Sequence, residues 1–209
     1  MTDVCGIILA AGKSTRMPSM KQLLPWNNQP LLEYQINRLA TLPLKELVVI
    51  LGHEAEFIQE NIDVDCQKVK YIICEQFTEG LSASLKCALS YASSSYTSVL
   101  LFLADLPLLQ LDTIRSILNK GNDLLQQEDA PFSIQPKYKG KKGHPVFLGH
   151  FQKLDWKSLS GDAGAKGLIE QLEIQLFFHT EDLGTTFDVD TPEAYELALK
   201  LAKKEKEVI

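Results

Sequence analysis

The cations Lys13, Arg16 and Lys21 stand close together in the segment 7–25, IILAAGKSTRMPSMKQLLP. An apolar run gives way there to small residues, so that Leu9, Ala10, Ala11 and Gly12 leave little bulk where backbone must approach a ligand. Loop amides from Leu9 to Ser14 can point at phosphate oxygens, with the cations behind them. Carboxylates that could oppose this charge lie far along the chain. Asp105 follows the apolar run 98–104, and Asp188 and Asp190 are spaced to share one side of an extended segment. Such residues suit magnesium, which takes one or two protein carboxylates together with substrate phosphates. Two plainer roles stay open: Asp105 can cap its own turn, and Asp190 with Thr191 can simply start a helix.

The elements that must position these groups alternate. Strands are expected at 4–10, 46–51, 69–73, 98–104, 131–136, 144–148 and 173–178, and helices at about 30–40, 54–61, 82–92, 111–126, 164–171 and 192–206. The pattern implies βαβ units, hence an α/β fold with a doubly wound, mostly parallel sheet in one domain over 1–209. Pro30 and Pro192 suit first-turn positions, Thr191 an N-cap, and Gly140 to Gly143 a hairpin inserted in the parallel pattern. In EGLSASLK, Gly80 supplies backbone freedom and Ser82 a helix N-cap, at a helix start that would attract an anion. Gly12-Lys13-Ser14 imitates the end of a P-loop, but five residues separate it from Gly6 where that loop needs four, and Ile7, Ile8 and Leu9 belong to the strand.

A net charge of -6 argues against nucleic acid or an anionic membrane as partner, so a phosphate ligand must be met by local positive charge. No signal segment or membrane-length apolar run is present, and a cytoplasmic location is expected. Cys5, Cys66, Cys74 and Cys87 form no C-x-x-C pair and read as small apolar fillers, while His53 most simply marks a strand-to-helix turn. The tail KKEKEVI reads as a solvated helix terminus.

LAAGKSTRM with Lys21, EGLSASLK at 79–86, LADLPLL at 103–109, KGHPVF at 142–147, SGDAGAKGLI at 160–169 and DVDTPEAY at 188–195 occur in an order that resembles the MobA-like nucleotidyltransferases related to molybdenum cofactor cytidylyltransferase. The resemblance covers almost the whole chain. One departure is Pro18, where the family pattern has glycine after Arg-Met, in a longer connection before Lys21. The resemblance implies a fold of the nucleotide-diphospho-sugar transferase type and transfer of CMP from CTP to molybdopterin cofactor, with magnesium required and pyrophosphate released. It implies Asp105 and Asp190 as metal ligands, and Arg16, Lys21 and Asp105 as the residues of the chemistry. Nucleotide contacts would come from Leu9, Ala10, Ala11, Gly12, Lys13 and Ser14, joined by Gly80 and Ser82. His144, Gly161 and Asp162 would line the acceptor pocket, and a molybdoenzyme or its chaperone would be a further partner. Ala11 stands where guanylyl-transferring relatives carry glycine, so its methyl is expected to leave less room for a purine. A sugar-1-phosphate or other small-metabolite nucleotidylyltransferase would use the same loop and metal. A non-catalytic cofactor-binding insertion partner is the reading from another class, against which intact Arg16, Lys21, Asp105 and Asp190 speak.

Overall fold

Alternate residues of the first strand bury in opposite directions: Val4 and Ile8 join one apolar cluster, Cys5 and Ile7 another. Such a strand needs cover on both faces, which is what a parallel sheet flanked by helices supplies. The computed structural model describes residues 3–207; Met1, Thr2 and the last two residues of the charged tail lie outside the described residues. In chain order the elements are β1 (Val4–Leu9), β2 (Pro25–Trp26), β3 (Gln29–Pro30), α1 (Leu31–Leu39), β4 (Glu46–Leu51), α2 (Ala55–Glu60), β5 (Val69–Ile73) and α3 (Leu81–Ala92). They continue as β6 (Ser98–Leu103), α4 (Leu111–Leu125), β7 (Phe132–Tyr138), β8 (Lys141–Lys142), β9 (Val146–Gly149), α5 (Gly164–Ile169), β10 (Ile174–His179) and α6 (Pro192–Glu207).

An eight-stranded sheet runs β10-β7-β9-β6-β1-β4-β5, with β8 paired to β7. β5, β4, β1 and β6 are parallel, as are β7 and β10, whereas β9 runs antiparallel to both β6 and β7. The chain leaves β1 toward β4 and β5 on one side and later returns to place β6 on the other. The connections at the carboxyl ends of β1 and β6 therefore diverge, which opens a crevice where ligands of open α/β sheets bind. α1, α2 and α4 cover one face through Ile36, Ile58 and Ile117, and α3 and α5 cover the other through Leu85, Leu89 and Leu168. α6 packs apart from both, in a third cluster that joins Ala198 to Trp26, Leu31 and Leu108.

The sheet type follows the expectation, and its details differ in four places. Lys139 and Gly140 both take positive φ, 43° and 84°, so the predicted hairpin is a two-residue turn, and it joins β7 to the short β8. The strand expected at 144–148 starts only at Val146 and is the reversed one. Pro30 precedes α1 instead of opening its first turn, because it pairs with Pro25 in a small hairpin turning at Asn27 and Asn28. Ser82 is not the N-cap of α3, which begins at Leu81 after Gly80 at φ 105°. Thr191 does cap α6, its hydroxyl accepting the Ala194 N–H at 3.2 Å.

Gly121 on α4 faces the ring of Phe147, which stacks on Phe132 with centroids 5.8 Å apart. Alanine is the better helix former by roughly 1 kcal/mol, yet a Cβ here would drive into that ring, and overpacking of this kind costs about 1–3 kcal/mol. Gly121→Ala should therefore lower the unfolding free energy by up to about 2 kcal/mol in urea titration, and an increase would show that the Phe pair yields.

Candidate active site

The loop after β1 is closed by its own side chains. Ala10 donates its N–H to the Ile50 carbonyl at 2.9 Å, and the Ala11 carbonyl accepts from His53 at 3.2 Å, so the loop root is fixed to the end of β4. Gln22, only 5% exposed, reaches back with Nε2 to the carbonyls of Ala10 at 2.7 Å and Gly12 at 3.2 Å. Ser14 adopts φ 53°, and its hydroxyl accepts the Lys21 N–H at 3.1 Å. The far limb of the loop is thereby folded over the near one, which turns Lys21 inward.

Lys21 lands between two carboxylates. Its Nζ donates to Asp105 Oδ2 at 2.6 Å and to Asp190 Oδ1, while Arg16 donates to the other oxygen of Asp190. The two aspartates are held together by the backbone as well, since Val189 N–H donates to the Asp105 carbonyl at 2.9 Å. Burial by itself would lower the Lys21 pKa, but the charge and hydrogen bonds of Asp105 and Asp190 outweigh it and hold the ammonium above its ordinary 10.5. Burial likewise opposes the Asp190 carboxylate, and there Lys21, the Asp188 hydrogen bond and Arg16 prevail, keeping it below 3.8. Asp188 shifts upward, first by burial and then by the neighbouring Asp190. Lys21 and Arg16 are thus paired with Asp105 and Asp190.

These groups line a cleft of about 550 Å³ at the carboxyl ends of β1 and β6. Leu9, Ala10, Ala11, Gly12, Arg16 and Lys21 form one wall, and Asp105, Asp188, Asp190 and His144 another. Burial lowers the His144 pKa from its ordinary 6.5, against the opposing pull of the Leu101 carbonyl and Asp105.

Several expected site residues lie elsewhere. Lys13 and Ser14 line a shallow surface depression, with the Lys13 ammonium 5.8 Å from the Phe77 ring centroid. Gly80, Ser82, Gly161 and Asp162 do not line the cleft but hold one another. Asp162 accepts the Leu81 N–H at 3.2 Å, the Gly161 carbonyl accepts the Ser82 N–H at 3.0 Å, and the buried Ser82 hydroxyl donates to Ser160 and accepts from Gly164. This cross-link caps α3 and fixes α5 beside it. The residues not foreseen are Gln22, whose only signal is a polar side chain in an apolar stretch, and Thr185 and Thr186, which line the cleft from a loop without pattern. That loop is set by buried Asp182, which accepts from Gln110 at 2.9 Å and Gly184 at 2.8 Å. Among the described residues no three His, Cys, Asp or Glu side chains gather as a ready-made metal cage. No helix among them is long and apolar enough to cross a membrane.

The fold is that of an α/β protein of the nucleotide-diphospho-sugar transferase-like type. Residues 6–176 match the model of the MobA-like NTP transferase domain, and the chain belongs to that family. It is 30% identical over 125 residues to the bifunctional protein GlmU of Bacillus mycoides, a match covering 59% of this chain and 26% of that protein. The chain thus spans about a quarter of the length of the curated relatives it matches. Among solved structures, the Rv0371c homologue from Mycobacterium sp. strain JC1 superimposes with a TM-score of 0.75 at 27% identity, covering 97% of this chain and 98% of that one. Molybdopterin-guanine dinucleotide biosynthesis protein A from Archaeoglobus fulgidus shares the fold, with a TM-score of 0.69 at 14% identity over 96% of this chain and 100% of that one.

Replacing Gln22 by leucine keeps the volume but strands the carbonyls of Ala10 and Gly12. The loss should be about 1–3 kcal/mol, with faster hydrogen exchange at the amides between Gly12 and Lys21 than at those of β4. Unchanged exchange in Gln22→Leu would mean that the loop is held by other contacts.

Proposed function

We propose that this chain is a nucleotidyltransferase that moves CMP from CTP to the terminal phosphate of molybdopterin cofactor, releasing pyrophosphate, and that residues 1–209 act as one such domain in the cytoplasm. The observation that carries the reading is the meeting of Lys21 and Arg16 with Asp105 and Asp190 in one cleft beside the small-residue loop. Family membership supports nucleotidyl transfer; the base is read from Ala11, and molybdopterin as the acceptor is what the resemblance of the chain's motifs implies.

An oxygen of the acceptor phosphate forms a bond to the α-phosphorus as the bond from that phosphorus to the β-phosphate oxygen breaks. The acceptor is already ionised at neutral pH, so no covalent enzyme intermediate and no strong base are needed, and positioning with charge stabilisation does the work. Lys21 and Arg16 exchange their carboxylate partners for phosphate oxygens and stabilise the charge that gathers on the α-phosphate and the leaving group. The donor set fits a hard divalent ion, because Asp105 and Asp190 converge on the point where the Lys21 ammonium now sits and offer oxygen alone. Magnesium held by these two carboxylates and the triphosphate would neutralise the phosphate charge. Ala11 supports the pyrimidine. It lines the cleft, where a glycine would leave more room for a purine.

The test is pyrophosphate release from CTP, GTP or ATP with magnesium, using molybdopterin and a panel of other phosphorylated acceptors. CTP with molybdopterin should be fastest; a GTP preference would sink the cytidylyl assignment and leave nucleotidyl transfer standing, and no release with any pair would remove both. Asp105→Asn should keep the fold and lose on the order of a hundredfold in kcat, since a neutral amide replaces the metal-binding charge. Lys21→Ala should lower kcat comparably. Lys13→Ala, in its separate depression, should leave kcat intact and at most raise the nucleotide KM, the pattern of lost uniform binding.

A further inference from the structure

The sheet ends in β10, which pairs with β7 alone and leaves its other edge without a strand. Its sequence, Ile-Gln-Leu-Phe-Phe-His, holds no Asp, Glu, Lys, Arg or proline, and Leu176 and Phe177, 44% and 36% exposed, project from opposite faces. An uncharged, apolar edge of this kind is a template for another strand. The opposite edge, β5, is guarded by exposed Lys70 within the strand itself.

Behind β10 stands unmatched charge. Lys137 on β7 and Lys142 on β8 lie directly opposite each other, and both ammonium groups rest over the Phe177 ring, 5.2 and 5.0 Å from its centroid. Like charges so placed destabilise a strand pair, and among the described residues no carboxylate forms a salt bridge with either. A ligand in the cavities does not answer for both. Lys142 lines the cleft and an adjoining cavity of about 320 Å³, which have Leu9, Leu81, Leu103 and His144 in common, but Lys137 lines neither. Glu173, exposed at the entry to β10, is likewise without a salt bridge among the described residues.

We propose that β10 joins β10 of a second copy of this chain, antiparallel about a twofold axis through Leu176, so that one sheet runs across a dimer. Side chains opposite each other in such a pair share a face. On one face this register sets Leu176 against its own counterpart and Ile174 against Phe178, apolar pairs throughout. On the other it sets Glu173 against the second copy's His179, whose neighbour on β7 is Lys137. Glu173 and that lysine are then two strand spacings apart, roughly 10 Å between Cα positions, which two long side chains span. An axis through Phe177 would instead oppose Glu173 to Glu181. Charge therefore selects both the occupant and the register.

Sedimentation of the full chain over a concentration series tests this. Wild-type protein should pass from monomer to dimer, and hydrogen exchange at β10 amides, but not at those of β5, should slow as the dimer fills. Leu176→Lys puts two like charges on the axis and should raise the dimer dissociation constant roughly tenfold or more. Glu173→Lys should weaken association several-fold, and adding Lys137→Glu to it should recover most of the loss, which a variant that merely unfolds would not do. Ile73→Lys is the control, since Ile73 is 48% exposed on the other edge and its replacement should leave the dimer unchanged. A monomer at every concentration, a dimer indifferent to Leu176→Lys, no recovery in the charge-swapped double variant, or loss of the dimer in Ile73→Lys would each overturn the assignment.

Discussion

The ammonium of Lys21, placed between Asp105 and Asp190, is the contact on which the site depends. It draws together the loop after the first strand, the end of β6 and the segment before the last helix. Removing one partner from a partly buried cluster of this kind leaves an uncompensated charge, which is why the surrounding structure constrains all three so heavily. Gln22 and Ser14 fold the loop so that Lys21 faces inward, and the Val189 amide bonds the Asp105 carbonyl so that the two aspartates cannot drift apart. Asp182 serves the same end by fixing the loop that packs against the exit from β6.

The sheet explains why these three segments can meet at all. β1 and β6 are neighbours in space, paired from Val4 with Ser98 to Leu9 with Leu103, and the chain departs from them on opposite sides. Reversal of β9 between β6 and β7 brings Gly143 and His144 to the same end of the sheet, which a wholly parallel order would not do without a longer connection. The two-residue turn at Lys139 and Gly140 delivers Lys141 and Lys142 to the cleft within that short span.

Much of this was legible in the residues. Buried strands at 4–9, 46–51 and 98–103 announce themselves as near-continuous apolar runs, and Arg16, Lys21, Asp105 and Asp190 stand out because charge at the end of such runs needs a reason. What stayed hidden was set by contacts between distant segments. Ser82 and Asp162 carry good signals for ligand binding, yet they serve each other across the gap between α3 and the loop before α5, and no local pattern distinguishes a serine that caps, cross-links or binds. Lys13 sits within the motif but on the outer side of the turn, because Ser14 at positive φ reverses the chain just after it.

Lys142 and His144 border both cavities, and so do Leu9, Leu81 and Leu103. Two molecules held against one set of side chains do not bind independently: whatever free energy the first occupant spends or gains in ordering that shared wall is inherited by the second. Linkage requires the effect to be equal in both directions, so each ligand's affinity is a property of the pair. A wall common to two chambers also restricts how the protein can diverge, because a substitution there that adapts one chamber to a new molecule alters the other in the same step.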